Sequence, residues 1–421
     1  MKALKIVIIS HSDRRGGAAV VSMRLMKALC DAGADASMLV AEKLSSDPRV
    51  HTVNQTRLKA AFLAEHAENL VADGFLYKNV FKVSNARYGC GVARHPAVVQ
   101  ADVVICGWIN QGLLSLRDAA RIAKAKPLIW IMHDMWSMTG VCHHAGNCTR
   151  FRQNCGHCPL LWGGKMGHDM SRDTFRRKLR LYDSLGKSMA WVCVSGWLNK
   201  LAASATLLRG RNLHTIPNPF PDTEFTTRPT LDRKSAGLPA DGPLVVMGAA
   251  RLDDPVKDLD AAVEALNKAH VMMPELSAVF FGNIRDNSIL ERLEMPHVHT
   301  GPVSDPELIK NIYAHAAVVL SSSSYETLPG TLIEGLACGA MAVSFDRGGQ
   351  PDIITPGFNG TMVPYRDTSA LAQAIVDAAR HPAPRLQLHD DIARRFGSTA
   401  VADKILKLCT DMYNRFKENN K

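Results

Sequence analysis

Two glutamates, Glu326 and Glu334, stand eight residues apart in Ser324-Tyr325-Glu326-Thr327-Leu328-Pro329-Gly330-Thr331-Leu332-Ile333-Glu334-Gly335. An apolar run from Ala316 to Leu320 precedes them and reads as a buried strand. A Ser-rich turn follows, and a helix is predicted to open near Pro329, because proline suits the first helical turn. The amides of Gly330, Thr331 and Leu332 would then lie unpaired at a positive helix end, which suits a phosphate. Glu326 would sit just before that end and Glu334 about one turn inside it. One carboxylate could take a sugar hydroxyl and the other a ribose hydroxyl, with a diphosphate between them. Taken alone, the pair is more simply two solvated glutamates flanking an amphipathic helix.

Two cations add to the pattern. Arg251 and Lys257 stand six apart in Gly248-Ala249-Ala250-Arg251-Leu252-Asp253-Asp254-Pro255-Val256-Lys257-Asp258. That stretch follows directly on the strand predicted from Leu244 to Met247. Two cations at a strand's carboxyl end can grip a diphosphate and neutralise the charge that grows on a leaving group. The plainer alternative is a surface salt bridge to Asp253 or Asp254, with Asp258 pairing with Lys257 or capping a helix. In the first half, Trp130-Ile131-Met132-His133-Asp134 ends a predicted strand. Ligand sites in such sheets lie outside the strands' carboxyl ends. His133 there could bond a sugar hydroxyl or help an acceptor, with Asp134 as its partner.

These residues need a scaffold of parallel strands. Leu4 to Ile9 reads as a strand, Gly16-Gly17 as a loop, Ala18 to Asp31 as a helix and Ala36 to Val40 as the next strand, a βαβ unit. Further strands are predicted at Val103 to Cys106, Pro127 to Met132 and Ala190 to Val194. The stiff run Ile216-Pro217-Asn218-Pro219-Phe220-Pro221 ends a first domain of residues 1–220. A second domain, 221–398, alternates strand and helix, which argues for a parallel sheet covered on both faces. A last helix runs from about Thr399 to Lys417.

The chain has 421 residues, room for about two to three domains, and 46% hydrophobic residues, as in globular proteins. No apolar run approaches the ~20 residues of a membrane span. The opening Met1-Lys2-Ala3-Leu4-Lys5 reads as the approach to a first strand, not a signal peptide, so a cytoplasmic location is expected. The formal charge is +10, yet no Lys/Arg tract argues for nucleic acid. From Arg57 to Arg94, Phe62, Phe75, Leu76, Tyr77, Val80 and Phe81 mix with basic residues. That mixture suits either an anionic membrane surface or helices with basic outer faces.

Four of the ten cysteines, Cys142, Cys148, Cys155 and Cys158, fall within 17 positions, beside His143, His144 and His157. In a reducing compartment a cluster with a CxxC points first to a structural zinc on four thiolates. Two disulfides, with three pairings open, come second, and free thiols third. In each case the role expected is to shape a long loop, with no catalytic metal.

The stretch from Glu326 to Glu334 and the Arg251-to-Lys257 stretch together resemble the retaining glycosyltransferases with two Rossmann-like domains (family GT4, GT-B fold). The resemblance implies an α/β fold whose two domains face each other across a cleft, with the last helix packing back on the first. It places Glu326 near the transferred sugar and Glu334 on the nucleotide ribose, with Arg251 and Lys257 on the diphosphate. Family members often carry Phe-Gly after the first Glu; Leu328-Pro329 here resembles a bacterial surface-polysaccharide branch. A glycine often follows the family's Lys, where this chain has Asp258. His299-Thr300-Gly301-Pro302-Val303 resembles the loop whose backbone meets the nucleobase, which brings in Gly301 and Val303. Gly17 would face the donor phosphates, Gly348-Gly349 resembles a glycine turn, and His133 would lie near the donor sugar. The implied activity is transfer from a UDP- or GDP-sugar to a growing, lipid-linked saccharide at the inner membrane face. Retention would proceed on the front face, the leaving diphosphate taking the acceptor's proton. A covalent carboxylate intermediate is the alternative route. A nucleotide-sugar epimerase of the same fold and a non-catalytic nucleotide-sugar-binding protein are the competing functions.

Overall fold

The computed structural model describes residues 3–162 and 169–420. Met1 and Lys2, part of the opening read above, lie outside the described residues. The chain divides into two compact units, Met1–Pro219 with Val401–Lys421, and Phe220–Ala400.

The first unit is built on β1 (Lys5–Ser12), α1 (Gly17–Asp31), β2 (Asp35–Glu42), β3 (Val50–Thr52), α2 (Gln55–Ala72), α3 (Pro96–Gln100), β4 (Val103–Cys106), α4 (Leu116–Ala125), β5 (Leu128–Met132), α5 (Met170–Leu185), β6 (Met189–Cys193), α6 (Gly196–Ser204) and β7 (Leu213–Thr215). Its sheet has the order β3-β2-β1-β4-β5-β6-β7, parallel throughout. The second unit holds β8 (Leu244–Arg251), α7 (Leu259–Met272), β9 (Ser277–Asn283), β10 (His297–His299), α8 (Pro306–His315), β11 (Val318–Ser321), α9 (Gly330–Ala337), β12 (Met341–Phe345), β13 (Gly360–Val363), α10 (Thr368–Arg380) and α11 (Arg385–Phe396). Its order is β10-β9-β8-β11-β12-β13, again parallel. A final helix, α12 (Ser398–Asn419), belongs to the first unit from Val401 onward.

The inner strands are apolar along their whole length because both sheet faces are covered. β4, β5, β6 and β12 are buried at every position. The helices are amphipathic and bury one stripe. In α4 that stripe is Leu116, Ala119, Ile122 and Ala123, and the Ser115 hydroxyl caps the helix by accepting from the Asp118 amide. Each sheet reverses its winding once, between β1 and β4 in the first unit and between β8 and β11 in the second. In open α/β sheets the crevice outside the strand carboxyl ends at such a reversal is where ligands bind.

The inner strands, α1 and α12 lie where the hydrophobic pattern predicts them, within a few residues, whereas α5 and α7 carry no such prediction. Four strands were missed: β3, β7, β10 and β13. All four are sheet edges. An edge strand is short and half-solvated, so it lacks the apolar run that marks an inner one.

One close contact fixes α9 on its sheet. A Cβ at Gly335 would come within 2.6 Å of the Val319 side chain of β11. Gly335→Val should therefore destabilise the protein by about 1–3 kcal/mol through overpacking. Chemical denaturation checks this, and an unchanged midpoint would show that β11 and α9 separate freely.

Candidate functional site

In the second unit the loops after β8 and β11 flank the sheet's reversal, and they are laced together. The Ser322 hydroxyl donates to the Lys257 carbonyl at 2.6 Å. The Ser324 amide and hydroxyl donate to the Val256 carbonyl at 2.8 and 3.1 Å. The Ser-rich turn thus earns its composition by fastening one loop to the other. Lys257 and Glu326 meet as a result: the ammonium donates to Glu326 Oε1, which also accepts from Ser323 Oγ at 3.2 Å. Both of these hydrogen bonds fall on Oε1 of the Glu326 carboxylate. Both side chains keep partial solvent access, 25% and 21%.

Gly348 is the third wall of this corner. Its φ is +58°, and a Cβ there would fall 2.3 Å from the Glu326 carbonyl oxygen and 2.7 Å from its amide nitrogen. The Gly349 amide donates to that carbonyl at 2.8 Å. The glycine turn after β12 therefore holds the Glu326 backbone in place, a role its turn geometry alone did not reveal.

Arg251 sits at the end of β8, beyond a β-bulge between Gly248 and Arg251 that re-aims the strand. It lies near Asp253 at 3.3 Å and Asp254 at 3.6 Å, so it adopts the surface salt bridge that was the plainer alternative. The contact is loose: Arg251 Nε and Asp253 Oδ1 are both buried without a hydrogen bond. A buried donor left in this state gains from a new acceptor. Asp258 does not pair with Lys257; it stands at the N-cap of α7, where its carbonyl accepts from the Ala261 and Ala262 amides, but its side chain makes no capping hydrogen bond. It takes a left-handed φ of 48°, a conformation that a glycine adopts without strain. Its carboxylate accepts from Arg366 at 2.8 and 3.0 Å and from the Tyr365 hydroxyl at 2.8 Å. Burial works against the Asp258 charge, but Arg366 and Tyr365 outweigh it and hold the carboxyl below its usual range.

The helix α9 opens at Gly330, with Pro329 at the N-cap position instead of inside the first turn. No side chain caps it, and a Cβ at Gly330 would meet nothing within 4 Å. Gly330, Thr331 and Leu332 therefore begin a helix whose positive end has room beside it. Glu334 lies one turn further, close to the buried Tyr313, whose hydroxyl is pushed well above its usual range by burial first and by Glu334 next. Gly301 and Val303 follow β10, and Gly301 has a φ of +69° with open space around its Cα. These residues all lie in or directly after loops at the carboxyl edge of the second sheet.

In the first unit, Gly17 begins α1, again with no side-chain cap. His133 follows β5, and a Cβ at Gly107 would stand 3.8 Å from His133 Nε2. Burial lowers the His133 pKa to about 4, against an upward pull from Asp134. The imidazole is therefore neutral at ordinary pH. Asp134 has a different hydrogen-bonded histidine from the one expected. His143, from the cysteine-rich segment, places Nδ1 2.6 Å from Asp134 Oδ2, and the Trp108 indole donates to the same oxygen at 3.1 Å. The other oxygen accepts from the Trp136 amide at 2.8 Å. A carboxylate acceptor fixes the His143 proton on Nδ1. Trp108 lies over His143, ring centroids 5.5 Å apart, and meets His11 edge-on at 5.5 Å. Burial works against Asp134 ionising, yet His143 and the Trp136 amide hold its carboxyl below the usual range. Sequence reading missed His143, Trp108 and His11 because their contacts span three separate strand ends. The only sequence signal for His143 was its place directly after Cys142.

All ten cysteines are free. Cys142, Cys148, Cys155 and Cys158 line one cavity of about 20 Å³. Burial pushes the thiols of Cys142 and Cys155 up to about 12 and about 11. Among the described residues no three His, Cys, Asp or Glu side chains are arranged to hold a metal ion. The soft donor set fits zinc, but the thiols are neighbours without forming a coordination shell. The segment is tied down by Lys178 of α5, fully buried, which donates to the carbonyls of Trp136 and Thr139 and lies over the Trp136 ring.

The two parallel α/β units, each reversing its winding once, have the architecture of a GT-B fold. Residues 243–381 match the family model of "Glycosyl transferases group 1". The chain is 28% identical over 213 residues to an exopolysaccharide phosphotransferase of Streptomyces coelicolor, covering 48% of this chain and 20% of that protein. It is 32% identical over 69 residues to WcaC of Escherichia coli, a protein named for colanic acid biosynthesis, covering 16% of this chain and 17% of that protein. The chain thus spans about a fifth of the length of these curated relatives. Among solved structures, HepE of Anabaena in complex with UDP and glucose superposes with a TM-score of 0.63 at 15% identity, covering 97% of this chain and 100% of HepE. Sucrose-phosphate synthase of Thermosynechococcus elongatus gives 0.66 at 17% identity, covering 98% and 100%. These likenesses show the fold. No described helix is long and apolar enough to cross a membrane.

A titration checks the His133 environment. The folded state holds fewer protons at His133 than the unfolded state between pH 6.5 and about 4, so this residue's contribution to stability is full above pH 6.5 and falls as pH drops through that window. The stability difference between wild type and His133→Gln should therefore shrink on acidification from pH 6.5 to 4. A difference independent of pH would contradict a neutral, buried imidazole.

Proposed function

We propose that the protein is a retaining glycosyltransferase that moves a hexose from a nucleotide-sugar onto a growing, lipid-linked bacterial surface polysaccharide. The observation that carries the reading is the Lys257–Glu326 pair beside the uncapped α9 at the reversal of the second sheet. It puts a cation, a carboxylate and a positive helix end in one corner, as a nucleoside diphosphate attached to a sugar requires. The donor is proposed to be a UDP-sugar, supported by the UDP and UDP-glucose that HepE binds.

In this reading the α9 amides and Lys257 take the diphosphate, Arg251 exchanges its loose aspartate contact for a phosphate oxygen, and Glu334 receives the ribose. Glu326 Oε2 takes a sugar hydroxyl while Oε1 stays on Lys257 and Ser323. As the glycosidic bond breaks, charge builds on the diphosphate, and the fixed cations stabilise that state more than the ground state. Gly301 and Val303 offer backbone groups to the base. His133, neutral and at the edge of the first sheet, serves the acceptor side. The surface-polysaccharide acceptor is supported by the names of the two relatives.

Screening UDP-, GDP- and ADP-sugars for thermal stabilisation tests the donor site, since a ligand of the folded form raises apparent stability. Selective stabilisation by UDP-sugars is expected, and stabilisation by none would remove the donor assignment. Lys257→Ala should slow transfer at least ~10-fold while leaving the fold intact. Unchanged turnover would take Lys257 out of the mechanism. Incubation with donor alone separates an epimerase, which needs no acceptor.

A structural zinc on Cys142, Cys148, Cys155 and Cys158 is a separate proposal, supported by the shared cavity and the soft donors. It requires the thiols to draw together on the metal. Metal analysis should find one zinc per chain, lost in Cys155→Ser, whereas a stable, metal-free wild type ends the idea.

A further inference from the structure

The first unit carries a feature that the transfer step itself does not use. A groove of about 570 Å³ runs between α4 and α5, in the size range of small-ligand sites. Arg117 and Lys124 line it from α4, Arg177 and Arg180 from α5, and Arg87 lines it beside Ala86. Arg117 and Lys124 stand two helical turns apart on one face, about 10 Å along the axis. Arg177 and Arg180 share a face of α5. The groove also has a direction. At its Arg87 end the Leu116 amide donates to the Ala86 carbonyl at 2.9 Å, where α4 opens on the carboxyl side of the first sheet. Lys124 and Leu185 lie in the last turns of α4 and α5, ahead of β5 and β6, on the opposite side.

No acidic side chain is among the described residues that line it. The acids nearby are engaged elsewhere: Asp118 with Ser115 and Arg121, Asp183 with Arg211, and Glu68 of α2 with Arg87 at 2.8 Å. Arg177 is a cation fixed in place. Its Nη2 donates to the Asn85 carbonyl at 2.8 Å and the Thr174 hydroxyl at 2.9 Å, while its Nε is buried without an acceptor. Burial first, and then the Arg87 charge, act against its protonation; Glu68, Asp173 and Glu65 pull the other way without cancelling them. Like charges gathered in one concave site are relieved by an anion.

The rest of the lining decides which anion. Between the cations the floor is apolar, formed by the buried Leu116 and Leu181 and the half-buried Leu185. A free phosphate would leave that floor uncovered. No aromatic ring is among the described lining residues, so a nucleobase would find no stacking platform. A sugar ring bearing a carboxylate meets both demands. Its C–H face covers leucines, and its carboxylate accepts paired hydrogen bonds from a guanidinium. Cations spread along the groove suit a short chain of such sugars better than a single one.

We infer that the α4–α5 groove binds an acidic saccharide, its carboxylates on Arg87, Arg117, Arg177 and Arg180 and its ring faces on Leu116, Leu181 and Leu185. The choice of a saccharide rests on the transferase reading and narrows its acceptor to one that carries uronate-type sugars. Isothermal titration calorimetry on the intact chain, with no nucleotide-sugar present, tests it. The probes are a linear trimer of galacturonic acid, maltotriose as a neutral trimer, and inorganic tripolyphosphate as a polyanion without rings. The acidic trimer should bind at least ~10-fold more tightly than either of the others, since charge-assisted hydrogen bonds carry the contact. Arg117→Glu with Arg180→Glu, both exposed, should weaken the acidic trimer at least ~10-fold. Lys404→Glu with Lys407→Glu, exposed on α12, makes the same change in net charge and should leave binding within about twofold. Leu185→Ser should weaken the acidic trimer about fivefold and leave tripolyphosphate unchanged. Equal loss in the two charge-reversed pairs, maltotriose or tripolyphosphate binding as tightly as the acidic trimer, or no binding by wild type overturns the proposal. Thermal stabilisation by UDP-sugars, measured on the same preparation, keeps the two readings apart. Its absence with saccharide binding intact ends the donor assignment alone, and its presence without saccharide binding ends this inference alone.

Discussion

A parallel sheet that reverses its winding leaves a gap between two crossover loops, and the chemistry of this chain is organised around two such gaps. Between β8 and β11 the gap receives Arg251 and Lys257 from one loop and Glu326 from the other. Between β1 and β4 it receives His11 and Trp108, and β5 next door adds His133 and Asp134. Strand order decides which loops are neighbours, and the loops need only carry the right side chains. The serines that lace Val256 and Lys257 to Ser322 and Ser324 then convert neighbouring loops into a fixed corner.

The polar residues in that corner are held by partners of very unequal strength. Asp258 is fully engaged by Arg366 and Tyr365, and that bond anchors the turn leading into α7. Arg251, by contrast, has charge neighbours but no hydrogen bond at Nε. The site thus combines a rigid frame with one cation that can be redirected at little cost. A fully satisfied arginine would have to break good bonds before it could meet a phosphate. The Asp134–His143–Trp108 contact is rigid in the same sense as Asp258, and it spans the edge of the first sheet and the cysteine-rich segment.

How much of this was legible in the sequence follows from where each signal resides. Inner strands, and helices such as α1 and α12, write themselves as apolar runs and periodic stripes, so both parallel sheets could be read. The four edge strands, β3, β7, β10 and β13, have half-solvated residues such as His51, His214 and Thr361 and leave no such mark. Arg251, Lys257, Glu326 and Glu334 could be singled out because their spacing lies within two continuous stretches, and of these Lys257 and Glu326 do meet. The Asp134 partner was not, because His143 reaches it across a loop whose path no local rule predicts. Lys178 likewise looked like one more basic residue of α5, although it is completely buried under Trp136. Asp258 was seen as an oddity at a glycine position, and only the fold could supply Arg366, more than a hundred residues away.

Gly348 carries a consequence of a different kind. Its missing side chain is what lets the Glu326 backbone come within contact distance of the turn after β12. Any side chain at that position would push Glu326 away from Lys257, or push the turn off the sheet. Drift at position 348 is therefore closed on steric grounds alone. The tolerance of this chain to sequence change is set as much by that empty volume as by the charged groups beside it.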